Sequence, residues 1–192
     1  MKTPLQTSPD GTQAHSESQA GDWNFCPRCS HRLAWREAME DGGPRLRLRC
    51  TACDFTHWNN PTPVLAAIVQ CSDRGDRVLL ARNAVWPNQF YGLITGFMEA
   101  GETAEEGIRR EVQEETSLEV QSLSLVGVYE YQRLNQVIIA YHARARGEIR
   151  LSPELCDYRL FEPHELRCWP QGTGQALAQW LRQQDIEPRW LD

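Results

Sequence analysis

The chain has 192 residues, of which 41% are hydrophobic, and a formal net charge of −6 at pH 7. Its length allows one full domain with a small module beside it, and its acidic balance argues against non-specific binding to nucleic acid. The longest apolar run, residues 64–69, is too short to span a membrane. The N-terminus lacks the basic and apolar regions of a signal peptide, so we expect a cytoplasmic protein.

The first 22 residues are rich in Ser, Thr, Gln, Pro and Gly and show no apolar periodicity. Such a composition buries too little apolar surface to offset the entropy that is lost on ordering. We therefore predict a disordered tail over residues 1–22.

Four of the seven cysteines form two Cys-x-x-Cys pairs separated by twenty residues. Two pairs at this separation are typical of a zinc ribbon, whereas a redox dithiol or a pair of disulfides is the alternative. A reducing compartment favours the metal. We predict a ribbon over residues 23–58 and a structural Zn²⁺ site made by Cys26, Cys29, Cys50 and Cys53.

Arginine is in excess within this module, where six arginines stand against three acidic residues between the first and last of these cysteines. The excess is compatible with a contact to RNA or to a partner protein. The simpler interpretation is charge balance, because Zn²⁺ with four thiolates carries a net charge of −2. The arginines are Arg28, Arg32, Arg36, Arg45, Arg47 and Arg49.

Two prolines in three residues, Pro61 and Pro63, preclude regular structure there and indicate a linker. We assign residues 59–192 to a second domain. Apolar runs with turn residues between them predict its strands, and an apolar stripe predicts a late helix from about 174 to 184. The predicted strands are 64–69, 77–82, 91–95, 122–131, 136–145 and 157–161.

A helix is also predicted between the third and fourth of these strands. Thr103 and Glu106 form a Thr-x-x-Glu capping box, which indicates that the helix begins just after Thr103 and ends at about Ser117. Strands before and after this helix, together with the late helix, predict an α/β fold, an α/β/α sandwich around a mixed sheet.

This helix carries Glu111, Glu114 and Glu115 on adjoining positions of one face, where like charges repel. Oxygen ligands that converge from one helix suit Mg²⁺ or Mn²⁺, ions that also bind substrate phosphates. A solvated acidic helix face is the alternative interpretation.

The spacing of glycine, arginine and glutamates resembles the signature of the Nudix hydrolases, G-x5-E-x7-R-E-U-x-E-E-x-x-U with U aliphatic. The chain departs from the family at Ser117, where the family has a glycine that suits a left-handed residue after the helix. The matching positions are Gly96, Glu102, Arg110, Glu111, Val112, Glu114, Glu115 and Leu118.

The resemblance implies that water attacks a phosphorus of a pyrophosphate with divalent-cation assistance. It implies that Glu111 and Glu115 are the principal ligands of Mg²⁺ or Mn²⁺, joined by the backbone carbonyl of Thr95 or Gly96. Glu114 is implied as a secondary ligand or base. Two further residues, Glu102 and Arg110, are expected to pair with each other and to orient this metal-binding face.

The resemblance also implies an acidic metal ligand from a strand after the signature, and we predict that this ligand is Asp157. A solvated aspartate at the end of a strand is the alternative. Aromatic and arginine side chains near the expected pocket are predicted to bind substrate by stacking and by phosphate contacts. These are Arg82, Trp86, Tyr91, Tyr131 and Arg133.

The ribbon narrows the resemblance to NADH pyrophosphatases and to a group of ADP-ribose and FAD pyrophosphatases. NADH enzymes carry Ser-Gln-Pro-Trp-Pro-Phe-Pro soon after the signature, whereas this chain has a different sequence at 128–136. We therefore expect hydrolysis of ADP-ribose or FAD to AMP, with NADH or NAD-capped RNA as the alternative substrates. The family resemblance also suggests a homodimer. A non-catalytic Nudix module that senses a nucleotide or binds RNA is the alternative function.

Overall fold

The computed structural model describes residues 23–85 and 90–191, so the tail predicted over 1–22 and the predicted substrate contact Trp86 lie outside the described residues. The chain divides into two units between Asn60 and Pro61. Within the described ranges, none of the helices is long and apolar enough to cross a membrane.

The first unit is built on a three-stranded antiparallel sheet. Its strands are β1 (Leu33–Glu40), β2 (Gly43–Cys50) and β3 (Thr56–His57), in the order β1-β2-β3. A tight turn joins β1 to β2, and the last residue of β2 is a cysteine of the second Cys-x-x-Cys pair. Side chains alternate between the two faces of such a sheet, so one face carries Trp35 and Leu46 and the other carries arginines.

The second unit contains a six-stranded mixed sheet. Its central strand, β4 (Thr62–Cys71), pairs in parallel with β8 (Gln136–Arg146) on one edge. On its other edge it pairs antiparallel with β5 (Arg77–Asn83) along one half and with β6 (Ile94–Phe97) along the other half. The order is β7-β8-β4-β5-β9, with β6 on β4. The strands are β4 (Thr62–Cys71), β5 (Arg77–Asn83), β6 (Ile94–Phe97), β7 (Glu119–Tyr131), β8 (Gln136–Arg146) and β9 (Leu155–Phe161).

One helix covers each face of this sheet. The first, α1 (Ala104–Thr116), buries Ile108 and Val112 completely against one face. The second, α2 (Thr173–Gln183), buries Trp180 and its neighbours against the other face. This arrangement confirms the predicted α/β/α sandwich. A short parallel pair, β10 (Arg167–Cys168) and β11 (Arg189–Trp190), and two 3₁₀ turns, Gln132–Leu134 and Pro163–Glu165, complete the unit.

The strand predicted at 91–95 begins later, at Ile94. The preceding residues run beside β5 but form only a single bridge there, between Gly92 and Ala81. The apolar character that predicted a longer strand serves instead to pack Leu93 into the core under α2.

Ser117 follows α1 in the left-handed conformation, with φ of 61°, although it lacks the freedom of the family's glycine. Its N–H donates to the carbonyl of Gln113, and its hydroxyl donates to the carbonyl of Arg150 at 3.2 Å. These two hydrogen bonds offset part of the cost of the left-handed backbone, and the helix ends where the sequence predicted.

Candidate functional site

The N-terminal part of α1 is held by a capping box and by one ion pair. Both hydrogen bonds of the box between Thr103 and Glu106 are present. Glu102, just before the helix, accepts two hydrogen bonds from the guanidinium of Arg110, at 2.9 and 3.1 Å, and one from the N–H of Glu99 at 2.7 Å. The hydrogen bond from Arg110 lowers the pKa of Glu102, so this carboxylate stays ionised.

Arg110 extends from this pair to the carboxylates of the helix. It donates to Glu111 at 2.7 Å and to Glu114 at 3.1 Å, and it also reaches the backbone carbonyl of Phe97 at 3.2 Å. One arginine therefore fixes the helix to the end of β6 and orients two glutamates, which is the arrangement that the sequence predicted for Arg110 and Glu102.

Glu111 lies directly against Gly96 of β6. A Cβ atom at position 96 would stand 1.9 Å from the carboxyl carbon of Glu111, so only glycine allows this approach. The contact also brings the carboxylate beside the backbone of β6, which was predicted to supply a carbonyl ligand from Thr95 or Gly96. Burial raises the pKa of Glu111, although Arg110 opposes the effect.

Glu115 is one turn further along the same face. Burial, as the largest cause, and the charges of Glu111, Glu154 and Glu114 together raise its pKa to about 8. Glu114 is the most exposed member, with 59% of its side chain accessible. We call Glu111, Glu114 and Glu115 the acidic face of α1. A carboxyl group among like charges in a partly dry site favours the binding of a cation.

Glu154 was not identified from the sequence. It precedes β9 in a loop that packs along the end of α1, where the N–H groups of Arg150 and Ser152 donate to the carbonyls of Thr116 and Glu115. These donors satisfy carbonyls that the helix end leaves free. The loop thereby brings Glu154 close enough to affect the pKa of Glu115. No local motif distinguishes Glu154 from other acidic residues.

Asp157, the predicted late ligand, is not brought to the acidic face. It shares a strand face with Phe161, which packs in the core under α2, whereas α1 covers the other side of the sheet. Its carboxylate accepts a hydrogen bond from the hydroxyl of Tyr91, and this bond lowers its pKa. Arg82 lies directly across the strands from Asp157, and the guanidinium of Arg159 stacks on Tyr91, 4.6 Å from the ring centroid.

Two predicted substrate contacts, Arg82 and Tyr91, thus belong to a polar cluster with Asp157 on the α2 side of the sheet. The Nε atom of Arg82 is buried, and no described residue bonds it. The structure does not bring these two residues together with Tyr131 and Arg133.

A cavity of about 630 Å³ lies on the same side of the sheet, next to β6. It is lined by Phe90, Thr95, Tyr131, Arg133 and Trp169, among others. The guanidinium of Arg133 stacks on the ring of Tyr131 and donates to its hydroxyl at 2.7 Å. The rings of Phe90 and Trp169 meet edge to face with centroids 5.0 Å apart. The cavity has the size and the aromatic lining of a small-molecule pocket.

Two aromatic residues near the site, Trp169 and Phe97, were not predicted from the sequence. Trp169 reaches the pocket from the segment before α2, which no spacing rule connects to Tyr131. Phe97 follows Gly96, is 59% exposed, and accepts a hydrogen bond from Arg110 at its backbone carbonyl. Tyr129, in contrast, is partly buried and donates to Gln179 of α2 at 2.8 Å.

In the first unit, the four cysteines of the two pairs converge. Their sulfur atoms all lie within 4.8 Å of one another, with Sγ–Sγ distances of 3.7 Å for Cys26 and Cys53 and 3.4 Å for Cys29 and Cys50. Four thiolates at about 2.3 Å from a tetrahedral Zn²⁺ would be about 3.8 Å apart. The donor set and its spacing therefore fit zinc, and the four cysteines are positioned as in a zinc ribbon.

The local backbone favours ionised thiols at this site. The N–H groups of Ala52 and Cys53 donate to the sulfur of Cys50, and the first of them chiefly lowers its pKa to about 6. The pKa of Cys29 is instead raised to about 12, because neighbouring thiols and burial outweigh a backbone hydrogen bond involving His31 that lowers it. Thiols that compete in this way for one negative charge need a cation to ionise together.

Two histidines near these cysteines in the sequence, His31 and His57, lie outside this cluster. The ring of His31 hydrogen-bonds the carbonyl of Cys29 at 3.0 Å, and that of His57 stacks on Trp23 with centroids 5.0 Å apart. Among the described residues, the candidate zinc site therefore consists of cysteines alone.

Comparison with protein families finds a match for each unit. The NUDIX domain model matches residues 61–184, and the model described as Nudix N-terminal, a zinc ribbon, matches residues 24–59. The NAD-capped RNA hydrolase NudC of Pseudomonas entomophila (strain L48) is 32% identical over 173 residues. The match covers 85% of this chain and 58% of that protein. The corresponding protein of Pseudomonas fluorescens (strain Pf0-1) is 30% identical over 170 residues, with the same coverage. The chain thus spans somewhat more than half the length of these relatives.

Solved structures share the fold at lower identity. A NUDIX hydrolase from Nitrosomonas europaea superimposes with a TM-score of 0.68 at 24% identity, covering 88% of this chain and 98% of that one. An ADP-ribose pyrophosphatase from Streptococcus suis 89-1591 superimposes with a TM-score of 0.53 at 19% identity, covering 69% of this chain and all of that one.

Proposed function

The chain belongs to the Nudix family, and on that premise we propose that it hydrolyses the pyrophosphate bond of a nucleoside diphosphate linked to another moiety. The reaction takes place at the acidic face of α1 and depends on a divalent cation, Mg²⁺ or Mn²⁺, which oxygen ligands favour.

One observation carries this proposal: the carboxylates of the acidic face have too few cations around them. Among the described residues, Arg110 alone donates to them, and it reaches Glu111 and Glu114 but not Glu115. The fold nevertheless buries Glu115 beside three other acidic side chains. Since like charges in a partly buried site are costly, their retention favours a bound divalent cation.

Each residue of the site then has a role. When bound, the cation neutralises the phosphates and lowers the pKa of a bound water. Glu111 and Glu115 would hold it, together with the carbonyl of Thr95 or Gly96. Glu114, exposed at the edge, is placed to accept a proton from the attacking water. The pair of Arg110 and Glu102 holds these side chains in position.

We infer that Glu154, rather than Asp157, supplies the acidic group from outside the helix. Glu154 is close enough to raise the pKa of Glu115, whereas Asp157 is bonded to Tyr91 on the far side of the sheet. Asp157→Asn should leave the concentration of Mg²⁺ that gives half-maximal rate unchanged, whereas Glu154→Gln should raise it several-fold. A shift with Asp157→Asn alone would reverse the assignment.

The pocket beside β6 is the proposed site for the nucleoside part of the substrate. Its aromatic side chains can stack on a base, and Arg133 can contact a phosphate. Thr95 lines this pocket on the α2 side of the sheet, while the next residue, Gly96, lies against Glu111 on the α1 side, so β6 lies between the pocket and the acidic face. Such contacts suit compounds that contain adenosine diphosphate. They favour ADP-ribose or FAD as the substrate, with AMP as a product.

NAD-linked substrates are the second candidate, and the similarity to proteins named NAD-capped RNA hydrolases favours them. The segment that differs from the NADH enzymes, residues 128–136, contributes Tyr131 and Arg133 to the pocket. The proposed pocket therefore differs from that of the NADH enzymes in residues that would distinguish ADP-ribose or FAD from NAD-linked substrates.

The decisive experiment is a hydrolysis assay with Mg²⁺ and with Mn²⁺ on ADP-ribose, FAD, NADH and NAD-capped RNA, in which AMP or the released 5′-phosphate end is measured. We expect kcat/KM for ADP-ribose or FAD to exceed that for NADH. Trp169→Ala and Tyr131→Ala should mainly raise KM. Faster hydrolysis of NAD-linked substrates would select the second candidate. Nucleotide binding without hydrolysis under either metal would show a non-catalytic module.

A further inference from the structure

Three arginines of β2 face the same side of the ribbon sheet. Arg45, Arg47 and Arg49 alternate along the strand with Leu46 and Leu48, and alternate residues of a strand point to opposite faces. Leu48 is 6% exposed on the face that also carries Cys50, whereas Arg45 is exposed. The strand therefore separates an apolar side from a row of positive charge.

A fourth arginine joins this row from the neighbouring strand. Arg36 of β1 lies directly opposite Arg47, an arrangement of like charges that destabilises a sheet. One carboxylate on this face, Glu40, accepts two hydrogen bonds from Arg47, at 2.7 and 2.8 Å. Within residues 23–85 and 90–191, no ion pair is formed by Arg36, Arg45 or Arg49. Glu40 also interacts electrostatically with Arg45, so this single carboxylate stands against four guanidinium groups on the same face.

An aromatic ring completes the surface. The guanidinium of Arg47 lies over the indole of Trp58, 5.3 Å from its centroid, and Trp58 is 54% exposed. A half-exposed indole amid cations can stack on an unpaired base, whichever base it is. We call Arg36, Arg45, Arg47, Arg49 and Trp58 the arginine face.

The charge of the zinc site can account for Arg49, which precedes Cys50, but not for the far end of this surface. Cys50 points to the opposite face of the sheet, and Arg45 is five residues further along β2, about 16 Å at the usual rise of a strand. Charges separated by more than about 8 Å in physiological salt are largely screened from each other. Arginines that neutralise the charge of the thiolates would lie near the cysteines, as Arg28 and Arg32 do in the sequence. The arginines of β2 instead extend along the strand away from the cysteines.

We propose that the arginine face binds single-stranded nucleic acid, with Arg36, Arg45 and Arg49 on backbone phosphates and Trp58 stacked on a base. Phosphates explain why the fold keeps cations that repel one another, and an exposed stacking ring selects unpaired bases over a duplex. This binding site is separate from the site of pyrophosphate hydrolysis. We expect it to bind nucleic acid whichever nucleotide the Nudix domain cleaves.

The test measures binding of full-length protein to a 12-nucleotide single-stranded RNA with a 5′-hydroxyl end and a 3′ fluorophore. This RNA offers no pyrophosphate to the acidic face. Fluorescence anisotropy is recorded in Mg²⁺-free buffer with Zn²⁺-loaded protein from 50 to 200 mM salt. Single-stranded DNA of the same sequence shows whether the 2′-hydroxyl contributes, and RNA duplex shows whether unpaired bases are needed.

Replacement of Arg36, Arg45 and Arg49 by glutamine should weaken binding at least tenfold at 100 mM salt. Each lost phosphate contact should also reduce the slope of log K against log salt by about 0.7. Trp58→Ala should weaken binding about fivefold or more while it leaves that slope unchanged, and Trp58→Phe should restore part of the loss. Zinc content and melting temperature should not fall in these variants.

The matched control replaces Arg146, Arg182 and Arg189, three exposed arginines of the second unit, by glutamine. It makes the same change in net charge and should alter RNA affinity less than twofold. Equal weakening by both triple variants, equally tight binding of duplex, or competition by polyglutamate as strong as that by unlabelled RNA would overturn the proposal. ADP-ribose hydrolysis by the arginine-face variant reports on the proposed enzymatic function independently.

Discussion

The two clusters of anionic side chains in this chain differ in how the fold prepares them for a metal. The four cysteines approach one another from two loops and receive backbone N–H donors, and the described residues leave no further ligand position among them. On the acidic face, Arg110 bonds two of the glutamates, and Glu114 remains largely exposed. A tetrahedral set of four ligands is closed, whereas the carboxylates leave room for water and for substrate oxygens.

The free energy of metal binding is therefore expected to have a different effect at each site. In the ribbon we expect it to stabilise the fold, because the small sheet has little apolar core of its own and β1–β3 expose several large side chains. In the Nudix domain two apolar cores already stabilise the sandwich, so we expect the divalent cation to contribute to catalysis rather than to folding. Loss of a ligand should therefore cost structure in one region and rate in the other.

The largest effect is expected for Cys50→Ser. Binding of structural Zn²⁺ to zinc-finger peptides contributes about 10–16 kcal/mol, so loss of one thiolate should unfold the first unit. Elemental analysis should find zinc lost, and hydrogen exchange should show β1 and β2 unprotected. The control is Cys156→Ser, because Cys156 is exposed and outside the cluster. Full zinc occupancy in Cys50→Ser would contradict the assignment of the site.

Glu115→Gln should produce the opposite pattern, with activity reduced by about 10²–10⁴-fold and the fold intact. The substitution keeps the shape of the side chain and removes one of several repelling charges. The melting temperature of metal-free protein should therefore stay the same or rise. Turnover within a few-fold of the original protein would show that the reaction does not use this face of α1.

Gly96→Ala tests whether the position of Glu111 matters as much as its charge. The added methyl group would overlap the carboxyl carbon at 1.9 Å, so Glu111 must move away from β6. We expect a loss in kcat of about 10²-fold, since small displacements of catalytic groups have such effects. Gly42→Ala is the control, because its nearest neighbour would be 3.7 Å away. An active Gly96→Ala enzyme would show that Glu111 tolerates displacement.

The smallest effect concerns pH and the stability of metal-free protein. The pKa of Glu115 is about 8 in the folded chain against an ordinary value of 4.5, so the folded state binds this proton more tightly. Its contribution to stability is full below pH 4.5 and is lost as pH rises to about 8. Partial exposure reduces it to on the order of 2 kcal/mol. Urea unfolding between pH 5 and 9 should show this slope, and Glu115→Gln should remove it. An equal slope in both proteins would exclude Glu115 as its source.

The sequence predicted the contacts that depend on local spacing. The capping box, the paired arginine and glutamate, and the two Cys-x-x-Cys pairs all lie within segments whose backbone geometry follows from the residues themselves. The α/β/α fold followed in the same way from alternating apolar runs and two amphipathic helices, and the structure confirms it.

Prediction failed to place residues whose neighbours come from distant segments. Asp157 and Glu154 are three positions apart, yet one lies in the strand facing α2 and the other in the loop along α1. Strand register and loop packing decide this, and neither leaves a local signal. The same holds for Trp169, which reaches the pocket from the end of the chain, and for Arg82, whose partner strand was not identifiable.

The alternation of β6 has a consequence for how such enzymes diversify. Thr95 faces the pocket and Gly96 faces Glu111, so one peptide bond separates a residue of the proposed substrate pocket from a residue that contacts a proposed metal ligand. Random substitution at position 95 can alter which nucleotide is accepted while the hydrolytic machinery stays in register. Libraries aimed at new substrates should therefore vary Thr95 with Tyr131 and Arg133 and keep position 96 invariant.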